Sequence, residues 1–305
     1  MKVLVTGGSG FIAFPIVQKL LNAGNEVKVL DLKSPEATHK NLTFVRKSVM
    51  DEISEDIKGS DVVLHFAALL GVDNSDRHPL DTMRINLEGS VNVFKSAMEV
   101  GVKNIVYSSS SEVYGEPREL PIREDSVKGP VSTYGVSKLA AEIYAKAYNY
   151  EFGTDIKIVR FFNVYGPRQP NNFVVPIFIN NALENKPLRV FGAGNQTRCF
   201  SYVEDIADGV LTVIEKGKRG EAYNIGNNKP TTILELAETV KEITKSKSEI
   251  VKVGFGNESR LKEREVEYRV PEISKMKSLG WQPKILVNEG IRKILEFKGK
   301  SPKAD

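Results

Sequence analysis

Short apolar runs alternate with amphipathic stretches along the first half of the chain. Aliphatic and β-branched runs predict strands at 2–6, 26–31, 43–49, 61–67, 104–110 and 155–163, and amphipathic stretches between them predict helices, among others at 11–23, 86–100 and 134–152. Strands that are apolar along nearly their whole length belong to parallel sheets covered on both faces. The alternation therefore predicts an α/β fold with a doubly wound parallel sheet of the Rossmann type.

The pattern changes after Gly166-Pro167-Arg168. Asn and Pro become frequent, the elements shorten, and helical patterns return near 203–216 and 233–244. We predict a Rossmann domain over 1–166 and a smaller C-terminal lobe over 167–305, with segments near 200–228 returning to the first domain.

Composition and charge argue against several classes of protein. No apolar run approaches the roughly 18 residues of a membrane span, and the net charge of +4 rests on scattered lysines rather than on a nucleic-acid-binding patch. The single cysteine, Cys199, excludes an internal disulfide and favours the cytoplasm. The densest charged stretch, 260–269, mixes both signs, and we interpret it as a solvated surface segment.

A glycine-rich turn follows the first predicted strand. Two spacings fit the dinucleotide-binding pattern: Gly8-x-Gly10-x-x-Ala13, and the wider Gly7-x-x-Gly10-x-x-Ala13. Glycines here let the backbone approach a pyrophosphate, which the N–H groups at the start of the following helix then bind. The strand before the turn and the helix after it make this motif stronger than glycines alone would be.

An acidic residue, Asp31, ends the second predicted strand about 20 residues beyond the turn. A carboxylate at this point accepts hydrogen bonds from the adenosine ribose and repels a 2′-phosphate. The sequence therefore predicts NAD rather than NADP as cofactor, although Lys33 nearby could soften that discrimination. The domain over 1–166 is accordingly the predicted NAD-binding domain.

Tyr134 and Lys138 lie four residues apart on a predicted helix and hence on one face of it. A free tyrosine has a pKa of about 10 and is a poor base at neutral pH. A neighbouring cation can lower such a pKa by about 1 to 3, so we expect Lys138 to make Tyr134 a competent proton acceptor. A serine run, 108–111, ends the fifth predicted strand, where a hydroxyl could bridge the tyrosine and a substrate oxygen.

These motifs occur in one order along nearly the whole chain. The ordered set resembles the extended short-chain dehydrogenases/reductases. Within them it is most similar to the NAD-dependent epimerase/dehydratase family of nucleotide-sugar enzymes, of the UDP-glucose 4-epimerase type. The segments that carry the resemblance are 6–12, Asp31, 65–68, 86–90, 108–115, 134–138, 160–168, 192–198, 202–205 and 279–283.

The resemblance implies roles for individual residues around the cofactor. Tyr134 would be the base, Lys138 its pKa-lowering and ribose-binding partner, and Ser110 the hydroxyl beside them. Besides Tyr134 and Lys138, the implied cofactor-binding residues are Gly7, Gly10, Phe11, Ile12, Asp31, Ser48, Val49, Phe66, Ala67, Ala68, Phe161 and Val164.

The resemblance also implies a substrate side. Ser110 and Glu112 would meet the sugar, and Arg189 belongs to a segment that resembles the strand beside the nucleotide base. Donors for the anionic diphosphate would come from Asn163, Asn172 and Arg198, with Arg264 preferred over Lys262 as a further cation. No cluster of His, Cys and Asp has metal-ligand spacing, so no metal is expected.

The implied reaction is epimerisation at C4 of a UDP-sugar through a 4-keto intermediate, by an enzyme expected to be a homodimer. Glu112 leaves other reactions open, because its Ser-Glu-Val-Tyr-Gly context also resembles UDP-glucuronate decarboxylases and nucleotide-sugar 4,6-dehydratases. A more distant alternative is a non-catalytic NAD-sensing protein, although such proteins commonly lose the Tyr or the Lys that this chain retains.

Overall fold

The computed structural model describes residues 1–69, 75, 77–254 and 266–300. Its centre is a seven-stranded sheet in the order β11-β6-β5-β4-β1-β2-β3, and every strand pair in it is parallel. The strands are β1 Lys2–Thr6, β2 Glu26–Asp31, β3 Leu42–Arg46, β4 Val62–His65, β5 Asn104–Ser110, β6 Asp155–Phe161 and β11 Ala222–Ile225.

Helices cover this sheet and, with short strands, build the remainder of the described chain. A π-helical turn, Arg84–Glu88, leads directly into the fourth α-helix, and a 3-10 turn, Ser111–Tyr114, follows β5. The α-helices are α1 Ala13–Asn22, α2 Ser54–Ile57, α3 Pro79–Met83, α4 Gly89–Glu99, α5 Thr133–Glu151, α6 Val174–Leu183, α7 Val203–Lys216, α8 Ile233–Ile243, α9 Ser274–Ser278 and α10 Val287–Phe297.

Both faces of the large sheet are buried. One core joins the sheet to α1 and α7, with Ile16 and Val210 among its members. The other core joins the sheet to α4 and α5, with Phe94 and Ala141 among its members. Burial on both faces explains why these strands are apolar along their length. The predicted doubly wound fold is confirmed.

A second body of the chain, with a hydrophobic core of its own, packs beside the carboxyl ends of the sheet. Its core joins α6, α8 and α10 to short strands, and Phe178, Leu236 and Ile291 are buried in it. The short strands pair as β10–β7, β12–β9–β14 and β13–β8. They are β7 Val164–Tyr165, β8 Leu188–Phe191, β9 Thr197–Arg198, β10 Ser201–Tyr202, β12 Thr231–Thr232, β13 Ile250–Val253 and β14 Tyr268–Arg269.

The chain does not divide cleanly at residue 166. After β10 it returns to the large sheet, where α7 packs against α1 and β11 pairs with β6. None of the helices in the described ranges is both long and apolar enough to cross a membrane.

Several predicted elements differ from the observed ones in their bounds, two of them by three residues at one end. The predicted strand 43–49 ends at Arg46, because the Ser48 N–H turns to donate to the Asp51 carboxylate at 2.8 Å. The predicted helix 86–100 begins as the π-helical turn and becomes α-helical at Gly89.

Candidate active site

A cleft opens where the carboxyl ends of β1, β4, β5 and β6 meet the second body. Ligand crevices of open α/β sheets lie at these strand ends. Eleven of the predicted site residues line this cleft: Gly7, Gly10, Phe11, Ile12, Phe66, Ser110, Glu112, Tyr134, Phe161, Asn163 and Val164.

The glycine turn forms one end of the cleft. Gly7 has φ +69°, and a Cβ there would lie 2.6 Å from the backbone nitrogen of Ala67, so only glycine fits. Gly8 instead faces β2, where a Cβ would come within 2.8 Å of the Val29 side chain. The Gly10 carbonyl accepts the Phe14 N–H at 3.0 Å as α1 begins. The wider spacing, Gly7-x-x-Gly10, therefore marks the glycines that border the cleft.

Asp31 is held at the end of β2 by two backbone donors. Ser9 N–H donates to Oδ2 and Lys33 N–H donates to Oδ1, both at 3.0 Å. Because a carboxylate has about four acceptor sites, each oxygen can accept a further bond from a ligand hydroxyl. Together with the crowded glycine turn and the N-terminus of α1, this acceptor fits the ribose and pyrophosphate of NAD.

Three consecutive serines at the end of β5 contact three residues spaced by four on α5. The Ser108 carbonyl accepts the Lys138 ammonium at 2.8 Å, and the Ser109 hydroxyl donates to Glu142 at 2.5 Å. The Ser110 hydroxyl is hydrogen-bonded to the Tyr134 phenol. The predicted Ser-Tyr-Lys constellation is thus assembled between one strand end and one helix face.

The pKa of Tyr134 is shifted upward, not downward. Burial of the phenol is the largest cause and the negative charge of Glu112 adds to it, while the bond from Ser110 opposes both. The protein groups alone do not give the expected net lowering of this pKa, because desolvation outweighs any attraction from the Lys138 ammonium. The positive charge of a nicotinamide ring would act in the opposite direction.

Lys138 is itself fully buried, under the rings of two tyrosines. Its Nζ lies 5.1 Å from the ring centroid of Tyr107 and 5.8 Å from that of Tyr134. Burial lowers the pKa of Lys138 from 10.5 to about 7, while the carboxylate of Glu142 opposes this fall. The side chain can therefore change its charge near neutral pH.

Glu112 lies in the cleft paired with a residue that sequence reasoning missed. Arg269 on β14 donates from Nη1 to Glu112 Oε1, and both residues line the cleft. The Nε of Arg269 is buried and has no hydrogen-bond partner in the described part of the chain. The interpretation of 260–269 as a solvated surface segment is wrong at Arg269, which is 7% exposed.

Asn163 and two phenylalanines complete the described part of the cleft wall. Phe66 and Phe161 are stacked, with ring centroids 6.0 Å apart at 13°. Asn163 has φ 39°, and its buried Oδ1 has no hydrogen-bond partner among the described residues. Gln169, which the sequence motifs did not single out, also lines the cleft. Its buried Oε1 likewise has no hydrogen-bond partner among the described residues.

Other predicted site residues in the described ranges are not part of the cleft wall. Ser48 and Val49 follow β3, where the Val49 carbonyl accepts the Asn92 amide at 2.7 Å. Asn172 and Arg189 are exposed, and Arg198 donates to the carbonyls of Thr197 and Glu267. Ala67 donates its N–H to the Thr6 hydroxyl, Ala68 follows it, and Arg264 and Lys262 lie outside the described residues.

His65 is a buried strand residue bonded on both ring nitrogens. Nδ1 lies 2.7 Å from the Thr6 hydroxyl and Nε2 lies 2.9 Å from the Ser90 hydroxyl. Burial and the nearby charge of Lys138 lower the pKa of His65 to about 3, so the ring is neutral. In the described ranges no group of three or more His, Cys, Asp and Glu could hold a metal ion.

Comparison with known proteins shows which family the chain matches. The family described as the NAD dependent epimerase/dehydratase family matches residues 3–226. A Methanocaldococcus jannaschii protein, provisionally named a UDP-glucose 4-epimerase, is 38% identical over 97% of both chains. The Bacillus cytotoxicus UDP-N-acetyl-alpha-D-glucosaminuronate decarboxylase is 32% identical over 97% of both chains. Human dTDP-D-glucose 4,6-dehydratase is 35% identical over 97% of this chain and 89% of its own.

Solved structures show the same fold with related ligands. The UDP-glucose 4-epimerase of Thermotoga maritima with UDP-glucose superposes with a TM-score of 0.89 at 32% identity, covering 98% of this chain and 99% of that one. A double mutant of the Streptomyces venezuelae dTDP-glucose 4,6-dehydratase with NAD bound has a TM-score of 0.91 at 28% identity, covering 98% and 97%.

Proposed function

The chain belongs to the NAD-dependent epimerase/dehydratase family with NAD as its cofactor, and we propose that it epimerises C4 of a nucleotide-linked sugar, a UDP-sugar, through a 4-keto intermediate. One observation carries the proposal: the Tyr134 phenol, bonded to Ser110, faces the cleft that begins at the glycine turn. Lys138 lies on the same helix face with its ammonium anchored on Ser108.

The residues of the cleft would act on the proton of the C4 hydroxyl. Tyr134 would accept that proton, and Ser110 would bond the same oxygen and keep it beside the phenol. NAD, when bound, supplies the hydride acceptor and donor. The protonated phenol would then return the proton to the same oxygen as the keto group is reduced on the opposite face of the sugar.

Further residues support binding in this proposal. Asn163, Asn172, Arg198 and Arg264 would hold the diphosphate, Arg189 would lie beside the base, and Glu112 would meet the sugar. The proposed cofactor set beyond Tyr134 and Lys138 is Gly7, Gly10, Phe11, Ile12, Asp31, Ser48, Val49, Phe66, Ala67, Ala68, Phe161 and Val164.

The test is a product assay without added reductant. Purified protein is incubated with UDP-glucose, UDP-N-acetylglucosamine or UDP-glucuronate, and the products are identified by proton NMR. We expect the C4 epimer of at least one of them, and its loss in Tyr134→Phe. Bound NAD with no turnover of any sugar nucleotide would instead favour the NAD-sensing alternative.

A second candidate function is decarboxylation of a UDP-sugar acid. The observation that favours it is Arg269, whose guanidinium lies in the cleft with a buried Nε that has no partner among described residues. A guanidinium suits a carboxylate, and a carboxylate on C5 beside a 4-keto group can leave as carbon dioxide. Release of carbon dioxide from UDP-glucuronate would decide for this reaction, and a 4-keto-6-deoxy product from a hexose would decide for a dehydratase.

Homodimerisation is proposed through α4 and α5. The outer face of α5 carries exposed apolar side chains at Val136, Ile143 and Tyr144, which are 42%, 61% and 46% exposed. Residues spaced by seven and eight share one helix face, so these three form a single stripe. We propose that a second copy covers this stripe in the cytoplasm, which the single buried Cys199 also suits.

A further inference from the structure

A buried ion pair lies one helical turn beyond the proposed catalytic residues. Arg160 on β6 donates to Glu142 on α5 through Nε at 2.9 Å and through Nη2 at 2.6 Å. Their side chains are only 1% and 2% exposed. The Ser109 hydroxyl adds a third donor to the carboxylate at 2.5 Å. Breaking such a pair by removing one partner leaves an uncompensated charge in the interior.

The guanidinium is fixed from its other side as well. Arg160 Nη1 donates to the Tyr114 hydroxyl at 2.7 Å and to the Glu124 carbonyl at 2.8 Å. The Tyr114 hydroxyl in turn donates to Asn224 on β11 at 2.7 Å. The position of the Glu142 carboxylate is therefore set by β5, β6 and β11 together.

This carboxylate shares a helix face with the catalytic pair. Tyr134, Lys138 and Glu142 follow each other at intervals of four, so each lies one turn after the last. Their contacts with Ser110, Ser108 and Ser109 lock that face to the end of β5. The hydrogen bond from Ser109 to Glu142 therefore also helps to hold the helix, and Lys138 with it, in register with the end of β5.

Burial favours the neutral form of the Lys138 amine, so its protonated form depends on a nearby negative charge. The groups that face it from neighbouring elements are the neutral His65 of β4, the Tyr107 ring of β5 and the Tyr134 ring of α5. Burial raises the pKa values of both tyrosines, so neither supplies a negative charge near pH 7. Glu142 is the carboxylate whose charge favours the protonated amine, and Arg160 is its counter-ion.

We infer that Glu142, oriented by Arg160 and Ser109, is a positioning residue that keeps the Lys138 amine protonated and aligned beside Tyr134. This inference rests on the proposed roles of Tyr134 and Lys138 and adds a residue that does not line the cleft. It also explains why Ser109 is a hydroxyl residue although it does not meet the phenol.

The test is a titration of Lys138 in the full-length protein. Lysines are labelled with carbon-13 at Cε, the Lys138 signal is assigned by its loss in Lys138→Met, and its pKa is read from the chemical shift by NMR. In Glu142→Gln we expect the pKa of Lys138 to fall by about one unit, a tenfold lower ratio of charged to neutral amine. Glu151→Gln, at the exposed end of the same helix, is the matched control and should leave the pKa unchanged.

A double variant separates positioning from simple charge imbalance. Glu142→Gln with Arg160→Met removes the pair without leaving a buried charge, so it can fold where the single variant does not. The inference predicts a lower Lys138 pKa in the double variant too. An unchanged pKa in it would assign a buried structural role to Glu142 and overturn the inference, even if the single variant shows a fall. The titration needs no substrate, so its outcome is independent of whether the proposed epimerisation is found.

Discussion

Glu112 and Arg269 form an ion pair inside the cleft although 157 positions separate them. The first follows β5 and the second lies on β14, so the pair joins the large sheet to the second body beside the proposed base. Its carboxylate is one of the groups that raise the pKa of Tyr134. The pair therefore links the contact between the two bodies to the acidity of the phenol.

Removal of the Glu112 charge should make Tyr134 a base at lower pH. In Glu112→Gln the raising effect disappears and the now unpaired Arg269 favours the phenolate, so the pKa of Tyr134 falls by roughly one unit. The acidic limb of the epimerisation rate should move to lower pH by the same amount. Glu119→Gln, which removes an exposed carboxylate seven positions further along the chain, should leave the limb in place. If the acidic limb does not move in Glu112→Gln, Glu112 does not influence the pKa of Tyr134.

Lys138 should make the stability of the protein depend on pH. Its pKa is about 7 in the fold against 10.5 in an unfolded chain, so between these values the unfolded state binds the extra proton. The free energy of unfolding therefore rises with pH across this window, and each unit of depression corresponds to about 1.4 kcal/mol. Urea unfolding from pH 6 to 10 should show a shallower rise in Lys138→Met. Lys146→Met on the same helix should keep the wild-type slope, and an equally steep Lys138→Met curve would contradict the assignment.

Gly7 should be required for both the fold and the cofactor. A Cβ at Gly7 would meet the Ala67 backbone, whereas Gly24 has a similar φ of +79° and open space around it. Gly24→Ala should cost about 1 to 2 kcal/mol from its left-handed backbone alone. Gly7→Ala should cost more and should weaken NAD binding by at least about tenfold in calorimetry. Equal effects of the two substitutions would show that the close approach to Ala67 is unimportant.

Asp31 should set the preference for NAD over NADP. The Asp31→Asn variant keeps acceptor capacity but removes the charge that repels a 2′-phosphate. Comparison of the dissociation constants of both cofactors should show a smaller ratio between them in the variant, with NADP gaining and NAD losing affinity. If the ratio is unchanged, Lys33 or another residue controls the choice.

The sequence predicted the parts of the site that local patterns determine. The glycine turn, Asp31 and the Tyr134–Lys138 spacing are each local in sequence, and the structure brings the glycine turn and Tyr134 to one cleft. The serine run indicated a hydroxyl at Ser110. It did not reveal that Ser109 contacts Glu142, because that contact depends on the register of α5 against β5.

Long-range contacts and burial explain what was missed. Arg269 reaches the cleft only because β14 pairs with β9, and no local pattern in a mixed-charge stretch indicates that pairing. The expected lowering of the Tyr134 pKa by Lys138 is outweighed within the protein, since spacing shows that two groups are close but not how deeply both are buried. Desolvation outweighs proximity there.

Transfer of deuterium is the most direct test of the proposed chemistry at C4. A UDP-sugar that the protein converts is prepared with deuterium at C4 and incubated with the protein without added NADH, and the product is examined by NMR and mass spectrometry. The account predicts a product inverted at C4 that keeps its deuterium on C4, and no conversion in Tyr134→Phe. Inversion with exchange of that deuterium for solvent hydrogen, or undiminished conversion in Tyr134→Phe, would contradict it.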